Sequence, residues 1–350
     1  MKKASFQGHN VIIAVMSLLI IVGLGSALDY QFYLSPSGLK ISSAVLPWDP
    51  SWSFLTAFSV AAVNSLAVGL VAILFATLLG VGIGVMGTMA DPTASMICRI
   101  YVGAFRNVPV LFVILLCYFV GILMPAPARA PDLMGLVFLS NRGIVLPELH
   151  LAGAGQLAIA GGLVLAAGLM LWRLPVPALT RVGGALVALL LAFWFGLDAR
   201  APELGKFGFR SGVEVPLEFL ALTTALSFYF AAEIAEITRG AILSVNKGVI
   251  EAADALGLHR LDRFRKITAP LALRFGLPGA LNSYLVIMKA TSLGVAIGYT
   301  ELFSVARVSM ATSGRIVECL ILMGLYFLLI CGTLSLVVNR MNARLRTRER

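Results

Sequence analysis

The chain has 350 residues, of which 59% are hydrophobic and only 13% charged, with a formal net charge of +10. That balance leaves too little polar surface to cover a water-soluble globule of this length, so an integral membrane protein is indicated. The basic residues gather at the ends of apolar runs rather than along one stripe, which makes the charge a topology signal and argues against a nucleic-acid partner.

Crossing roughly 30 Å of hydrocarbon takes about 20 residues of helix, and about eight runs come near that length. The first is Val11–Leu28, behind a basic start. MKKASFQGHNVIIAVMSLLIIVGLGSALDY has the outline of a signal peptide, with Gly-Ser-Ala at a cleavage-like place, but its apolar stretch of about 18 residues exceeds a usual signal core and reads as a retained helix. Thr56–Met89 follows, carrying Gly80, Gly82 and Gly84, then Met96–Met124. Leu151–Trp172, with Gly161 and Gly162, and the shorter Val182–Leu197 come next. Leu217–Ile242, Leu273–Gly298 and Ile316–Val338 complete the set. The runs are continuous and show no strand-like alternation, and an open sheet edge cannot be satisfied in lipid, so the fold class is all-α. The glycines suit close helix packing; simple tolerance of glycine in lipid is the other reading.

Lys and Arg set the orientation. Lys2 and Lys3 match Arg340, Arg344, Arg346, Arg348 and Arg350, so both termini are expected in the cytoplasm. Arg173, Arg181 and the whole Glu251–Ala272 segment join them. Asp29–Phe54, Pro125–His150 and Asp198–Pro216 fall outside as polar loops.

The cysteines Cys98, Cys117, Cys319 and Cys331 lie within the predicted spans without CxxC spacing and read as structural thiols. His9, His150 and His259 are scattered, so no metal site is expected. There is no Gly-x-x-x-x-Gly-Lys-Ser/Thr and no Gly-x-Ser-x-Gly. The chain itself is expected to bind no cofactor, and any ATP would sit on another chain.

EAADALGLHRLDRFRKITAPLA, Glu251 to Ala272, is charged and helix-prone between two apolar runs. Its first half holds good helix formers with acids near the N-terminal end, and Gly257 can take a left-handed cap. Leu258, Leu261, Phe264 and Ile267 then recur on one face, with Arg260, Arg263 and Lys266 on another. Pro270 marks an expected break before the next span. The result is a helix-turn-helix knob; a solvated basic loop that anchors topology is the alternative.

The order Glu-Ala-Ala, three residues, Gly, then Phe, Ile and Pro-x-Ala resembles the coupling motif of the membrane subunits of bacterial ABC importers. Tyr101-Val-Gly-Ala-Phe-Arg-Asn-Val-Pro109 is similar to an element of the polar amino acid permeases. Ala235-Glu236-Ile-Thr-Arg239 through Lys247-Gly248, and Lys289-Ala-Thr-Ser-Leu293 with Ile297-Gly-Tyr-Thr-Glu-Leu302, resemble the stretches flanking that motif. The resemblance covers roughly 57–118 and 221–340 and is closest to the longer subunits of general L-amino acid importers, in the histidine/glutamine permease family. Gly103 stands where an acid is common in that family, and Val113 where Gln is common.

The resemblance implies a type I ABC importer permease core of five helices in a bacterial inner membrane, plus an N-terminal helix and an inserted hairpin. The expected division is 1–55, lead helix and external loop; 56–124, first part of the core; 125–216, inserted loops and hairpin; and 217–350, the rest of the core with the coupling motif at 251–272. Implied partners are an ATP-binding subunit carrying ATP and Mg, a second permease subunit, an external amino-acid-binding protein and membrane lipid. Glu251, Ala252, Ala253, Gly257, Phe264 and Pro270 would engage the ATPase. Candidates for a polar path through the bilayer are Arg106 and Asn107, Glu233 and Glu236, and Asn282, Lys289 and Ser292, because an amino acid's two charges each need a partner in a low-dielectric setting. For Glu236 a helix-internal pair with Arg239 is the other reading. A channel or secondary transporter would show similar intramembrane polar residues without needing the ordered motif, and a membrane enzyme would need a nucleophile or metal cluster that the sequence does not offer.

Overall fold

The computed structural model describes residues 29–42, 45–89, 91–133, 135–151, 197–205 and 208–346. The predicted helices Val11–Leu28, Leu151–Trp172 and Val182–Leu197 lie outside these residues apart from their edges. The chain separates into two units, one formed by 1–118 with 221–350 and the other by 119–220.

Ser53 starts the first long helix, its hydroxyl accepting from the Thr56 N–H at 3.3 Å. Helix α1 (Phe54–Met86) runs for 33 residues. Asp91 caps α2 (Pro92–Arg106) by accepting from the Thr93 N–H at 3.0 Å, and Pro92 occupies a first-turn position where its missing N–H costs nothing. The predicted run Met96–Met124 is divided into two helices. Helix α2 gives way to α3 (Val110–Ile122) across a 98° bend. The cause is local: Pro109 has no N–H to continue the ladder and disfavours helical geometry at Val108.

Helix α4 (Leu217–Leu243) returns through the bundle. After the knob, α7 (Ala269–Ala290) passes into a 3-10 stretch at Thr291–Ile297. A short helix α8 (Leu302–Ser313), not anticipated between the last two runs, precedes α9 (Ile316–Arg346). The knob contributes α5 (Lys247–Ala255) and α6 (Arg260–Arg263), and a π-turn at Phe264–Thr268 joins α6 to α7. Among the described residues four helices are long and apolar enough to cross a membrane, and the α2–α3 pair makes a fifth if it is one span.

Small residues draw α1 and α4 together. Ala72, Ala76, Gly80 and Gly84 recur every four residues on the buried stripe of α1. A Cβ on Gly80 would lie 2.7 Å from Ile234 Cβ and 2.8 Å from the Ala231 carbonyl; one on Gly84 would lie 2.6 Å from the Ala235 carbonyl and from Thr238 Cβ. Gly82, between them, meets nothing within 4 Å. Two of the three glycines therefore serve packing, and the third is merely tolerated. The core around the other side of α1 joins Phe58 and Ala61 to Met288 of α7, Leu302 and Ala306 of α8, and Cys319 and Leu322 of α9. All four cysteines are free thiols.

The second unit holds strands where the sequence reading placed polar loops. Strands β1 (Asp132–Leu133), β2 (Val137–Ser140), β3 (Gly143–Leu146) and β6 (Val213–Pro216) form an antiparallel sheet in the order β1-β2-β3-β6, while β4 (Glu148–Leu151) pairs with β5 (Leu197–Arg200). Gly143, at φ 127°, lets β3 approach the Val215 carbonyl of β6 closer than any side chain allows. At two to four residues each, these strands are too short to show alternation.

Valine at Gly84 should push α1 off α4 and lower stability by about 1–3 kcal/mol, the usual cost of overpacking. Thermal unfolding of the solubilised protein should report this for Gly84→Val and leave Gly82→Ala close to wild type. Equal losses at both positions would contradict the packing described.

Candidate functional site

Two sets of residues stand out: the knob between α4 and α7, and the polar side chains inside the bundle. The knob begins one turn earlier than the run from Glu251 implies, because the Asn246 side chain accepts from the Gly248 N–H at 2.8 Å and caps α5 at Lys247. Helix α5 ends in a paired reverse turn: the Leu258 N–H donates to the Ala253 carbonyl at 3.2 Å and the Gly257 N–H to the Asp254 carbonyl at 2.9 Å, with Gly257 at φ 72°. This is a Schellman C-cap, and its left-handed residue is the one predicted. His259 then caps α6, and Arg263 forms an ion pair back to Asp254, tying the two halves together. Lys266 reaches Asp262 at 3.3 Å.

Of the predicted coupling residues, Glu251, Ala252, Gly257 and Pro270 are exposed and Phe264 is half-buried. Ala253 is 2% exposed and faces its own chain, so only one of the two alanines lies on the knob surface. Leu256 and Leu261 are 80% and 58% exposed and form its apolar tip, a feature that helix propensity alone does not single out. Pro270 does not break the chain as expected. Helical structure runs without interruption from Arg260 to Ile297, over 38 residues. The π-turn absorbs the proline: the Ala269 N–H reaches back to the Phe264 carbonyl, five residues away, and Pro270 falls in the first turn of α7.

Inside the bundle the structure brings together some of the predicted path residues. Glu236 of α4 lies 3.7 Å from Arg106 at the end of α2, rather than in a helix-internal pair with Arg239. Both side chains are about half exposed, so this pair is open to exchange with a solute rather than locked in a core. Glu233, one turn earlier, accepts a hydrogen bond from Ser283 of α7 at 2.9 Å. Ser283 was not selected from the sequence. Consecutive helical residues point about 100° apart, so of Asn282 and Ser283 only one can face α4, and the pattern alone does not choose. Asn282 is exposed. Asn107 donates to the Gly103 carbonyl at 2.8 Å, which makes it a helix-end cap. Lys289 is exposed, and Ser292 donates to the Lys289 carbonyl at 2.8 Å. Ser283 and Lys289 sit six positions apart on α7, about 9 Å along its axis. Tyr101 donates to the Phe228 carbonyl at 2.6 Å and Phe105 stacks on Phe228, so aromatic rings hold α2 against α4 beside the Arg106–Glu236 pair.

Glu301 is also missing from the sequence-derived set. It is fully buried and caps α8, accepting from the Phe303 and Ser304 N–H groups, each at 2.7 Å. Beside it Asn64 of α1 donates to the Thr300 carbonyl at 2.8 Å and Ser65 accepts from the Leu302 N–H at 3.0 Å. Among the described residues no cation pairs with this buried carboxyl group, which is held by backbone donors at the positive end of a helix. The sequence signal was an acid immediately before an apolar helical run.

Comparison with known proteins bears on what such a bundle does. A family model described as "Binding-protein-dependent transport system inner membrane component" matches residues 76–348. The general L-amino acid transport system permease protein AapQ of Rhizobium johnstonii is 31% identical over 342 residues, 93% of this chain and 85% of its own. The glutamine transport system permease protein GlnP of Escherichia coli is 38% identical over 128 residues, 37% of this chain and 58% of its own. Among solved structures, a chain from the crystal structure of an amino acid ABC transporter with histidines superposes with a TM-score of 0.52 at 18% identity, covering 83% of this chain and 95% of that one. At that identity the likeness speaks for the fold.

Removing the Glu301 cap should cost about 0.5–2 kcal/mol. Thermal unfolding should therefore rank Glu301→Ala below Glu301→Gln, which keeps one acceptor oxygen for the α8 N–H groups. Identical unfolding temperatures for wild type and Glu301→Ala would rule out the cap as a stabilising feature.

Proposed function

The chain belongs to the family of binding-protein-dependent transport system inner membrane components, and from that membership we propose that it forms one half of the translocation path of an ATP-driven importer of polar L-amino acids. The observation that carries the coupling part of this reading is the knob. Its two halves are joined by a left-handed Gly257 and an ion pair, and it continues through the π-turn into a membrane-crossing helix without a break. ATP and Mg bind to a separate ATPase subunit. Closure of the paired ATPases pushes on the exposed tip at Leu256 and Leu261, with Glu251 and Ala252 beside it, and α7 moves with the knob as a rigid body. A second, homologous permease chain completes the path, and an external binding protein delivers the solute. Both termini and the knob lie in the cytoplasm, in keeping with the basic residues at these places.

The charged groups in the bundle fit a zwitterionic solute. Arg106 offers a partner for a carboxylate, and Glu236 and Glu233 for an ammonium. Because Arg106 and Glu236 already neutralise each other, an amino acid passing between them exchanges one ion pair for two without leaving a bare charge in a low-dielectric setting. Lys289, further along α7, provides a second carboxylate station.

The test is reconstitution of the chain with its ATPase and partner permease in proteoliposomes, with ATP-driven uptake of labelled amino acids as the readout. Gly257→Val places a β-branched residue at φ 72°, a strain of about 1 kcal/mol or more. It should depress both uptake and solute-stimulated ATP hydrolysis while the complex still assembles. Glu233→Gln should depress uptake with assembly intact. Failure of the wild-type chain to bring down an ATPase, or normal coupling in both variants, would refute the proposal.

A further inference from the structure

A groove of about 530 Å³ lies between α1, α4 and the helical stretch 264–284, at the end of these helices that carries the knob. Its walls are mostly apolar, with Val81 and Val85 of α1, Ile237 and Ala241 of α4, and Leu273 and Leu277 of α7 among them. Val81 and Leu273 are 42% and 58% exposed, so the groove opens sideways on helices that are long and apolar enough to cross a membrane. Of the polar groups that line it, the Thr77 and Tyr284 hydroxyls lie 2.9 Å apart and bond to each other. Such walls cannot satisfy the two charges of an amino acid, which separates this groove from the Arg106–Glu236 and Glu233–Ser283 contacts.

One full charge borders the groove. Arg265 stands on the π-turn at its mouth and is exposed. Its basic neighbours are matched, Arg263 to Asp254 and Lys266 to Asp262, whereas among the described residues no acidic side chain pairs with Arg265. An apolar slot with a cation at the level where membrane-crossing helices meet the aqueous phase is complementary to one kind of molecule. We propose that the groove seats an acyl chain of an anionic phospholipid from the leaflet on the knob's side, with the lipid phosphate on the Arg265 guanidinium. The volume is in the range that ordinarily holds one small ligand, about 300–1,000 Å³. Because the groove is built from the same π-turn that links knob to α7, a lipid lodged there would brace the joint through which the knob moves the bundle. The proposal depends on these helices spanning the membrane and not on the identity of the solute.

The experiment uses the full chain assembled with its ATPase and partner permease in phosphatidylcholine vesicles. These contain a trace of phosphatidylglycerol, or in the control of phosphatidylcholine, bearing a photoactivatable group on the acyl chain; adducts are mapped by peptide mass spectrometry. Phosphatidylglycerol should label peptides containing Val81 and Leu273–Leu277 more strongly than the phosphatidylcholine probe does. Arg265→Gln should cut the phosphatidylglycerol adduct about fivefold, the worth of one basic residue at a membrane surface, and Arg265→Lys should retain most of it. Equal labelling by the two headgroups in the wild type would overturn the proposal without recourse to any variant. So would absence of groove adducts in the assembled complex, which would mean that protein covers the groove, or displacement of the lipid by an excess of L-amino acids, which would make it part of the transport path. Loss of transport with lipid labelling intact would count against the proposed function and leave this site standing.

Discussion

A chain that leaves helical geometry inside a bilayer frees backbone donors and acceptors that lipid cannot meet, and at the turn between α7 and α8 three side chains meet several of them. Between Thr291 and Leu302 the backbone passes from 3-10 turns through a left-handed Gly298 into α8. The freed groups find Asn64, Ser65 and the Glu301 carboxylate. Asn64 lies about ten residues along α1, some 15 Å from its start. There its amide oxygen also accepts from the Val45 N–H at 2.9 Å, so one side chain bridges the segment before α1 and the turn after α7. At the near end Arg315 joins Asp29 at 2.9 Å and Glu318 at 3.6 Å, tying the start of α9 to the same segment.

With that end anchored, α7 is held at one extremity by buried hydrogen bonds and at the other by the knob. The stretch from Arg260 to Ile297 carries two prolines, and neither interrupts it. Pro270 is accommodated by the π-turn, and Pro278 removes one hydrogen bond in the middle of α7. Close contact of α1 with α4 through Gly80 and Gly84 gives this rod a firm neighbour, and Glu233 links α4 back to it through Ser283. The Glu233–Ser283 contact therefore sits on an element, α7, that would carry a push from the knob.

Much of this was legible in the sequence because lipid imposes simple rules. Among the described residues the long apolar runs are helices, four of them plus a bent pair that makes a fifth if it is one span, and Gly257 caps the knob's first helix as expected, whereas Glu251 and Asp254 fall in the middle and last turn of that helix rather than at its start. What was hidden depended on three-dimensional neighbours. Composition cannot tell Gly82 from Gly80 and Gly84; only the position of α4 does. The bend at Pro109 was missed because the apolar residues on either side were joined into one run across Arg106-Asn107-Val108-Pro109, although those polar residues and the proline mark the break. Pro270 failed in the opposite sense, since a π-turn admits a proline that an α-helical ladder would reject. Glu236 chose Arg106 over Arg239 because α2 comes close to α4 there. Glu301 reads as an ordinary polar residue until α1 supplies the surroundings that bury it.

The claim on which the mechanism stands is that knob and α7 move as one body. Spin labels at Leu261 on the knob and Val286 on α7, both exposed, are separated by 25 positions, about 37 Å of helix. Their distance should be measured by pulsed electron resonance in the assembled complex, without nucleotide and with ATP trapped. The account predicts a single distance unchanged to within about one residue's rise, ~1.5 Å. A shift of about a full turn, ~5.4 Å, or a second population on trapping would show that the π-turn or Pro278 acts as a hinge and that the knob does not drive α7 directly.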